Sequence, residues 1–269
     1  ENLTDLCDDN SFVEYGQLAV AAQRDRKDAE SLKTETPADG VITGLATINS
    51  AEFGIQASQV AVIVNDYSVL AGTQGYFHHK KIDRILDQAG KASLPVVMYT
   101  EGGGGRPGDT DVKTQIAGLD VPTFARWASL SGRVPLIAVN NGYCFAGNAA
   151  LFGCADIRIA TATSWIGMAG PAMIEGGGLG SFAPTDIGPI EVQGKNGVVD
   201  LVADNEAHAT RLAQQCLAYF QGDKQSWNCA EQTKLREMMP LDRRFVYEIR
   251  SIIEQLVDTD SFTELSQLY

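Results

Sequence analysis

The chain has 269 residues, 44% of them hydrophobic, which predicts one large buried core with at most a small appendage. Its 34 acidic and 21 basic residues give a formal net charge of −13 at pH 7. Such a surface repels a phosphate backbone, so we do not expect nucleic acid as a partner. The apolar runs are far shorter than the roughly 20 residues that cross a bilayer, so we expect no membrane span. The acidic first residues, "ENLTDLCDDN", do not match a secretory signal peptide.

The five cysteines are scattered along the chain and form none of the closely spaced pairs that zinc sites use: Cys7, Cys144, Cys154, Cys216 and Cys229. We therefore expect reduced, mostly buried thiols and a cytosolic-type compartment. No His or Cys cluster predicts a metal site, and "PGDTD" lacks the remaining ligands of a calcium loop.

A polar segment, residues 23–39, separates an N-terminal helical segment from the start of the core. Five short β-rich runs then predict strands at 41–48, 60–66, 95–101, 135–141 and 156–168. Helical stripes lie between and after them: Ile82, Ile85, Leu86 and Ala89; Phe124, Trp127 and Leu130; a helix at 206–220; and a helix at 245–257 with Ile249, Ile252, Ile253 and Leu256 on one side. Apolar strands alternating with helices predict an α/β fold with sheets covered on both faces.

Near the end of the chain, "DTDSFTEL" (258–265) echoes "DDNSFVEY" (8–15) with four identities in eight residues. A chance match of this length is common. Both copies follow or lie within an amphipathic helical segment, however. We interpret the echo as the entry to a second domain of the same kind, which makes this chain the first half of a duplicated enzyme.

Four consecutive glycines, Gly102, Gly103, Gly104 and Gly105, follow the predicted strand 95–101. Each costs roughly 0.5 to 1 kcal/mol to order relative to alanine, so such a run is typical of backbone that approaches something closely or adopts positive φ. Ligands bind at the carboxyl ends of buried strands in α/β sheets, which favours a binding loop over a merely flexible one. The pattern is neither a P-loop nor a convincing dinucleotide fingerprint.

A second turn, residues 140–151 ("NNGYCFAGNAAL"), also runs from an apolar strand into small, helix-favouring residues. The amides of Ala146 and Gly147 would then be unpaired N–H groups at a helix N-terminus, able to receive a developing negative oxygen. Tight packing of small residues against a neighbouring helix is the alternative.

The histidines do not suggest a Ser-His-Asp hydrolase. His78 and His79 lie at a predicted helix start, His208 lies on a charged helix, and no Gly-x-Ser-x-Gly elbow accompanies them. A hydratase would need paired carboxylates, for which Glu101 and Glu175 are the near candidates.

Taken together, "PADGVITGLATIN", "VNDYSVLAGTQGYFHHKKID", "EGGGGRPGDTD", "VNNGYCFAGNAAL" and the long segment from "EVQGKNG" onward resemble the carboxyltransferase component of biotin-dependent acyl-CoA carboxylases, in the crotonase superfamily. The resemblance implies a crotonase-like fold, with layered β-sheets flanked by helices and repeated ββα units. It implies an acyl-CoA-binding domain at 1–240. Residues 241–269 would then be a linker and the first helix of a C-terminal carboxyltransferase domain that is otherwise absent.

In this family carboxybiotin supplies CO₂ and its freed nitrogen can remove the α-proton of the thioester, while the protein stabilises the enolate. By position, the resemblance makes Ala146 and Gly147 the enolate donors and places Gly102 to Gly105 beside the acyl group. Lys81 would meet CoA phosphates, with an exposed, solvated lysine as the alternative. The sequence departs from the family with Ala146 for Gly and Asn148 for a small apolar residue.

The resemblance also implies partners: acyl-CoA, biotin held on a separate carrier, a biotin carboxylase, the C-terminal carboxyltransferase domain, and further copies of the chain. It implies a cytoplasmic or mitochondrial-matrix location. Alternatives are a biotin-dependent decarboxylase subunit, another crotonase-type acyl-CoA enzyme such as a hydratase or isomerase, and a non-catalytic CoA-binding or assembly domain.

Overall fold

The computed structural model describes residues 2–112, 121–224, 226–242 and 244–269. The strands are β1 (Val13–Glu14), β2 (Val41–Thr47), β3 (Gln59–Asn65), β4 (Val96–Tyr99), β5 (Leu136–Asn140), β6 (Tyr143–Phe145), β7 (Ile157–Thr161), β8 (Trp165–Gly167) and β9 (Leu201–Ala203). The helices are α1 (Asn2–Leu6), α2 (Ala29–Glu35), α3 (Ser50–Phe53), α4 (Tyr76–Ala92), α5 (Thr123–Leu130), α6 (Gly147–Gly153), α7 (Pro171–Gly176), α8 (Ile190–Gln193), α9 (Glu206–Ala218), α10 (Leu235–Met238) and α11 (Ile249–Leu256).

A seven-stranded sheet in the order β1-β2-β3-β4-β5-β7-β9 forms the centre of the described chain. Strands β1 to β3 pair antiparallel, and every later pair in this sheet is parallel. Val62 lies beside Val97, which lies beside Ile137, so apolar side chains are in register across the middle of the sheet. A small parallel sheet of β6 and β8 stands beside it.

Helices cover both faces of the large sheet. Ile82, Ile85 and Trp127 of α4 and α5 belong to the core on one face. Leu6 of α1 and Leu217 of α9 belong to the core on the other. The predicted layered α/β fold is therefore confirmed, and the runs β5-β6-α6 and β7-β8-α7 are its repeated ββα units.

The run predicted as one strand at 156–168 is two strands in different sheets. A turn separates them, in which the Ser164 amide donates to Thr161 O at 3.1 Å. The Ser164 hydroxyl also donates to Asn140 O at 2.9 Å, which ties the turn to the end of β5. Apolar composition does not reveal this break, because both strands are equally β-favouring.

The two echo segments begin with the same turn, which leads into β1 only in the first copy. The Ser11 amide donates to Asp8 O and the Ser261 amide donates to Asp258 O, each at 3.1 Å. The residue before each serine has positive φ, 56° at Asn10 and 60° at Asp260. Each turn follows a short helix, α1 in the first copy and α11 in the second.

Near the predicted domain boundary at 240/241, α11 packs back on the residues before the boundary. Gln232 Nε2 donates to Gln255 O at 2.8 Å, and Gln255 Nε2 donates to Glu231 O at 2.6 Å. The boundary itself stays a prediction. Among the described residues, no helix combines the length and apolar character required to span a membrane.

Candidate functional site

The two glycine turns meet at the carboxyl edge of the parallel sheet. Strands β4 and β5 are parallel neighbours, so the turns that follow them leave the sheet side by side. The Gly102 amide donates to Tyr143 O, and the Phe145 amide donates to Gly102 O, both at 2.8 Å. The backbone of the first turn is thus hydrogen-bonded to the backbone of the second.

A third segment, the turn before α4, closes the other side of the glycine run. The Gly103 amide donates to Ala71 O at 3.0 Å. Gln74 accepts from the Arg106 amide at 2.9 Å and donates its own amide to Gly104 O at 2.7 Å. The glycine run therefore lies between two other segments, as expected for backbone that must pass close to its neighbours.

Accounting for the amides identifies which donors are free. Gly104 N–H is held by the Asn148 side chain, and Ala146 N–H donates to Gly167 O, each at 3.0 Å. Within the described part of the chain, Gly105 N–H and Gly147 N–H have no acceptor. The expectation that the Ala146 amide is free is therefore wrong, because that amide completes the pairing of β6 with the end of β8. Among the described residues, the amides of Asn148 and Ala149 in the first turn of α6 likewise have no acceptor, and Gly105 and Gly147 are the two donors that adjoin the contact between the turns.

The two turns touch at Gly104, the residue directly before Gly105. Its φ is 89°, and a methyl group there would lie 2.6 Å from Ala146 Cβ and 3.4 Å from Gly147 N. Only glycine fits this position. The contact brings the Gly105 end of the first turn against the Gly147 end of the second.

Ala146 turns the chain into α6 with φ 50° and ψ −117°. This region is unfavourable for any residue with a side chain, so Ala146 carries backbone strain. The sequence raised this difficulty, since alanine stands where the family has glycine. In the structure, Ala146 adopts this backbone conformation although it is not glycine.

Asn148, the second departure from the family, clamps the glycine run. Its side chain is fully buried, and besides accepting from Gly104 it donates to Glu101 O at 3.3 Å. Buried amide side chains are normally hydrogen-bonded, so a lone asparagine among small helical residues is a signal for such a clamp. The sequence analysis identified Asn148 as a departure from the family but did not predict that it binds the glycine run.

Arg106, directly after the glycines, anchors the run to the start of α4. Its guanidinium binds the carboxylate of Asp39 and donates to Thr73 O at 2.7 Å, and all but 5% of the residue is buried. The same Asp39 accepts from the His78 amide, and Asp109 accepts from the Tyr76 amide, each at 2.7 Å. Two carboxylates thus sit at the N-terminus of α4, where the helix dipole favours negative charge. The sequence did not predict this anchor, because Asp39 belongs to the polar segment 23–39, which was interpreted only as separating the N-terminal helical segment from the core.

His78 and His79 lie in the first turns of α4, at a helix start as predicted, and both are buried. Burial, followed by the nearby Arg106, lowers the pKa of His79 to about 4. Burial likewise holds the pKa of His78 well below its usual range. Both imidazoles are therefore neutral at pH 7.

Lys81 is not brought to the two glycine turns. It is buried, its ammonium donates to Ala38 O at 2.8 Å and to Val41 O, and its stem lies against Gly16. Burial lowers its pKa to about 8. The alternative of an exposed, solvated lysine is wrong, and contact with CoA phosphates stays a prediction.

The carboxylates named for a hydratase differ in environment. Glu101 accepts from the Asn141 amide at 2.6 Å, and burial raises its pKa to about 7. Glu175 is exposed on α7. No group of three or more potential metal-ligating side chains occurs among the residues that the structure describes.

The chain is similar to proteins of one family over its whole length. The model of the carboxyl transferase domain family matches residues 1–269. The 12S subunit of methylmalonyl-CoA carboxyltransferase from Propionibacterium freudenreichii subsp. shermanii is 26% identical over 282 aligned residues, covering 100% of this chain and 51% of that subunit. Curated relatives are thus about twice as long as this chain.

Two solved structures extend the comparison. A single-chain, multi-domain long-chain acyl-CoA carboxylase matches with a TM-score of 0.94 and 54% identity, over all of this chain and 26% of that one. The transcarboxylase 12S structure, described as a hexamer assembly with hydrolysed methylmalonyl-CoA bound, matches with a TM-score of 0.80 and 25% identity, over all of this chain and 52% of that one. With the family model matching from end to end, the chain belongs to the carboxyl transferase domain family.

Proposed function

We propose that this chain is the acyl-CoA half-site of a biotin-dependent acyl-CoA carboxyltransferase, and that Gly105 N–H and Gly147 N–H stabilise the thioester enolate. The observation that carries the proposal is that these two amides, on adjoining turns at the carboxyl edge of the sheet, have no acceptor among the described residues. Membership of the carboxyl transferase family supports the reaction class. The earlier prediction named Ala146 in place of Gly105.

Carboxybiotin is a co-substrate in this proposal, and it supplies both CO₂ and the nitrogen base for the α-proton. The chain's own task is to bind the thioester and hold its oxygen. Negative charge develops on that oxygen when the α-proton leaves, and two fixed N–H donors favour the charged state over the neutral ground state. Because the glycine run is fixed by Asn148 and Arg106, little reorganisation is needed as the charge appears.

The acyl group sits beside Gly102 to Gly105 in the proposal. The 54% identity to a long-chain acyl-CoA carboxylase favours a long acyl-CoA as substrate. Biotin carrier and carboxylase components, a C-terminal carboxyltransferase domain, and other copies of the chain are the proposed partners. The proposed location is the cytoplasm or the mitochondrial matrix.

Calorimetry tests the binding half of the proposal. The protein is titrated with acetyl-, propionyl- and palmitoyl-CoA, and we expect saturable binding that is tightest for palmitoyl-CoA. Absence of binding to every ester contradicts an acyl-CoA site. Tighter binding of propionyl-CoA contradicts only the long-chain assignment.

Removing one donor tests the enolate role. Gly105→Pro deletes the N–H and should lower kcat of the assembled carboxylase about a hundredfold or more, as loss of one oxyanion donor does in other enzymes. Gly153→Ala, at the end of α6, is the control, because a methyl group there meets nothing within 4 Å. Equal kcat for both variants would remove Gly105 from the proposal.

A further inference from the structure

Gln74 contacts both of the turns that carry the proposed enolate donors, Gly105 N–H and Gly147 N–H. Its backbone pairs with Gly104 and Arg106 on either side of Gly105. Its side chain lies against Gly147: a methyl group at Gly147 would collide with Gln74 Oε1 and would lie 3.3 Å from Phe124 Cζ. One residue therefore contacts the segments that carry both proposed enolate donors, and only 1% of its surface is exposed.

A hydrogen-bonded chain runs toward the same place from α4 and α5. Thr123 donates its single hydroxyl proton to Asp83 Oδ1 at 2.6 Å, and its oxygen lies 3.0 Å from His79 Nδ1. Because that hydroxyl proton is already used, Thr123 accepts, and His79 carries its proton on Nδ1. His79 Nε2 is then an acceptor. Its ring packs edge-on against Phe124 at 5.9 Å between centroids.

Three buried polar atoms in and beside this cluster lack a partner among the described residues: the donor Nε2 of Gln74, the acceptor Nε2 of His79, and the acceptor Nε2 of His78, whose ring centroid lies 6.1 Å from that of His79. Gln74 precedes the N-cap residue of α4 and His79 is the fourth residue of that helix. Apolar side chains at these two positions commonly pack together at helix starts, so the two positions are within reach of each other. A buried donor and a buried acceptor in one cluster are complementary, and each is costly while unpaired.

We propose that His79 Nε2 accepts from the Gln74 carboxamide, so that the chain Asp83–Thr123–His79–Gln74 holds the carboxamide against Gly147. In the proposal the carboxamide turns about its terminal torsion, which is broad in glutamine, to make this hydrogen bond. Gln74 and His79 are then positioning residues: they touch no reacting atom, and they fix the backbone that carries Gly147 N–H. The inference rests on the proposed enolate site.

The test uses the assembled carboxylase with Gln74→Leu, His79→Phe and the double variant. Each single change should lower kcat about tenfold and leave the KM for acyl-CoA within about twofold, a loss smaller than that of a whole oxyanion donor. Both changes break the same link, so the double variant should lose no more than either single variant. His79→Gln, which keeps an acceptor, should lose less than His79→Phe.

A binding measurement separates this inference from the site on which it rests. S-carboxymethyl-CoA carries a negative oxygen near the enolate position, and S-ethyl-CoA does not. Gln74→Leu should weaken binding of the first about tenfold and leave binding of the second unchanged. Gln221→Leu is the matched control for loss of a buried glutamine, since Gln221 is 5% exposed and donates to Ile48 O at 2.8 Å on another part of the fold.

The outcomes are distinct. Multiplying losses in the double variant, or a Gln74→Leu enzyme with unchanged kcat and unchanged S-carboxymethyl-CoA affinity, would overturn the positioning chain alone. An unmutated enzyme that binds neither CoA analogue would overturn the proposed function. Thermal unfolding of each variant shows whether a loss of activity is caused by a loss of the folded state. If His79→Phe does not fold, the kcat of His79→Gln is the test of the positioning chain.

Discussion

Ala146 adopts φ 50° and ψ −117°, a backbone region that glycine populates readily and alanine rarely. Ala146→Gly should therefore stabilise the protein, because relief of strain worth about 1 to 3 kcal/mol outweighs the roughly 0.4 to 1 kcal/mol of added unfolded-state entropy. We expect the free energy of unfolding to rise by about 1 kcal/mol in urea titrations.

Ala149→Gly is the control for this prediction. Ala149 lies three residues further on, inside α6, where glycine has no conformational advantage. It should lower the free energy of unfolding by about 1 kcal/mol. If both changes destabilise alike, the backbone at 146 is not strained.

Glu101 should make stability depend on pH. Its pKa of about 7 in the fold lies above its ordinary value of 4.5, so folding favours the protonated form. The resulting stabilisation is complete below pH 4.5 and is lost as pH rises to 7. Glu101→Gln keeps the acceptor for the Asn141 amide but cannot ionise, so relative to the parent it should gain about 3 kcal/mol between pH 4.5 and pH 8.

Urea titrations at the two pH values measure the gain. Glu175→Gln, on the exposed face of α7, should follow the pH dependence of the parent protein. A Glu101→Gln variant that also follows the parent would show that the Glu101 carboxyl ionises alike in the folded and unfolded states.

At the scale of elements, the ion pair of Arg106 with Asp39 joins the glycine run to the start of α4. Arg106→Met would leave the Asp39 carboxylate buried without its partner, which costs about 3 to 5 kcal/mol of stability. Adding Asp39→Asn should recover part of this loss, because it removes the unpaired Asp39 charge and leaves only the carboxylate of Asp109, whose Oδ1 lies 3.6 Å from Arg106 Nη1 in the parent protein. Urea unfolding of the single and double variants measures the difference.

An exposed ion pair provides the comparison. Arg250 Nε lies 2.7 Å from Glu264 Oε2 on the surface. Arg250→Met should cost far less stability than Arg106→Met, because an exposed ion pair is screened by solvent. If Arg106→Met costs no more than this, the buried pair does not anchor the glycine run.

Local patterns predicted the elements better than the contacts between them. The apolar runs at 41–48 and 60–66 are strands β2 and β3 to within one residue at each end, because strand burial dictates composition directly. The stripe of Ile82, Ile85, Leu86 and Ala89 is the buried face of α4. The break between β7 and β8 and the partner of the Ala146 amide depend on residues far along the chain, which periodicity does not encode.

The same limit applies to the candidate site. The two glycine turns were found from sequence because each follows a buried strand. The sequence did not predict which of their amides lack an acceptor, because that depends on Gly167 O and on the Asn148 side chain. A polar residue among small helical ones, such as Asn148, is the signal that could have indicated the clamp.

At the scale of the whole molecule, the echo and α11 support the proposal of a second domain. Both echo copies form the same turn with a positive-φ residue before serine. On α11, Ile249 and Leu256 are 51% and 61% exposed, so the apolar stripe is only partly covered. An exposed apolar face of this kind usually marks a contact surface.

We predict that this chain alone binds acyl-CoA but does not transfer a carboxyl group. In the proposal, Gly105 N–H and Gly147 N–H hold the thioester oxygen, but carboxybiotin requires a pocket of its own, which family resemblance assigns to the second domain. The isolated chain is assayed with free carboxybiotin and acyl-CoA, and then again with the second domain supplied as a separate polypeptide. We expect activity only in the second assay, and Ile249→Glu with Leu256→Glu should weaken that activity if the stripe on α11 contacts the added domain. Full turnover by the isolated chain would show that both substrates already have their sites within these 269 residues, and the half-site proposal would then be wrong.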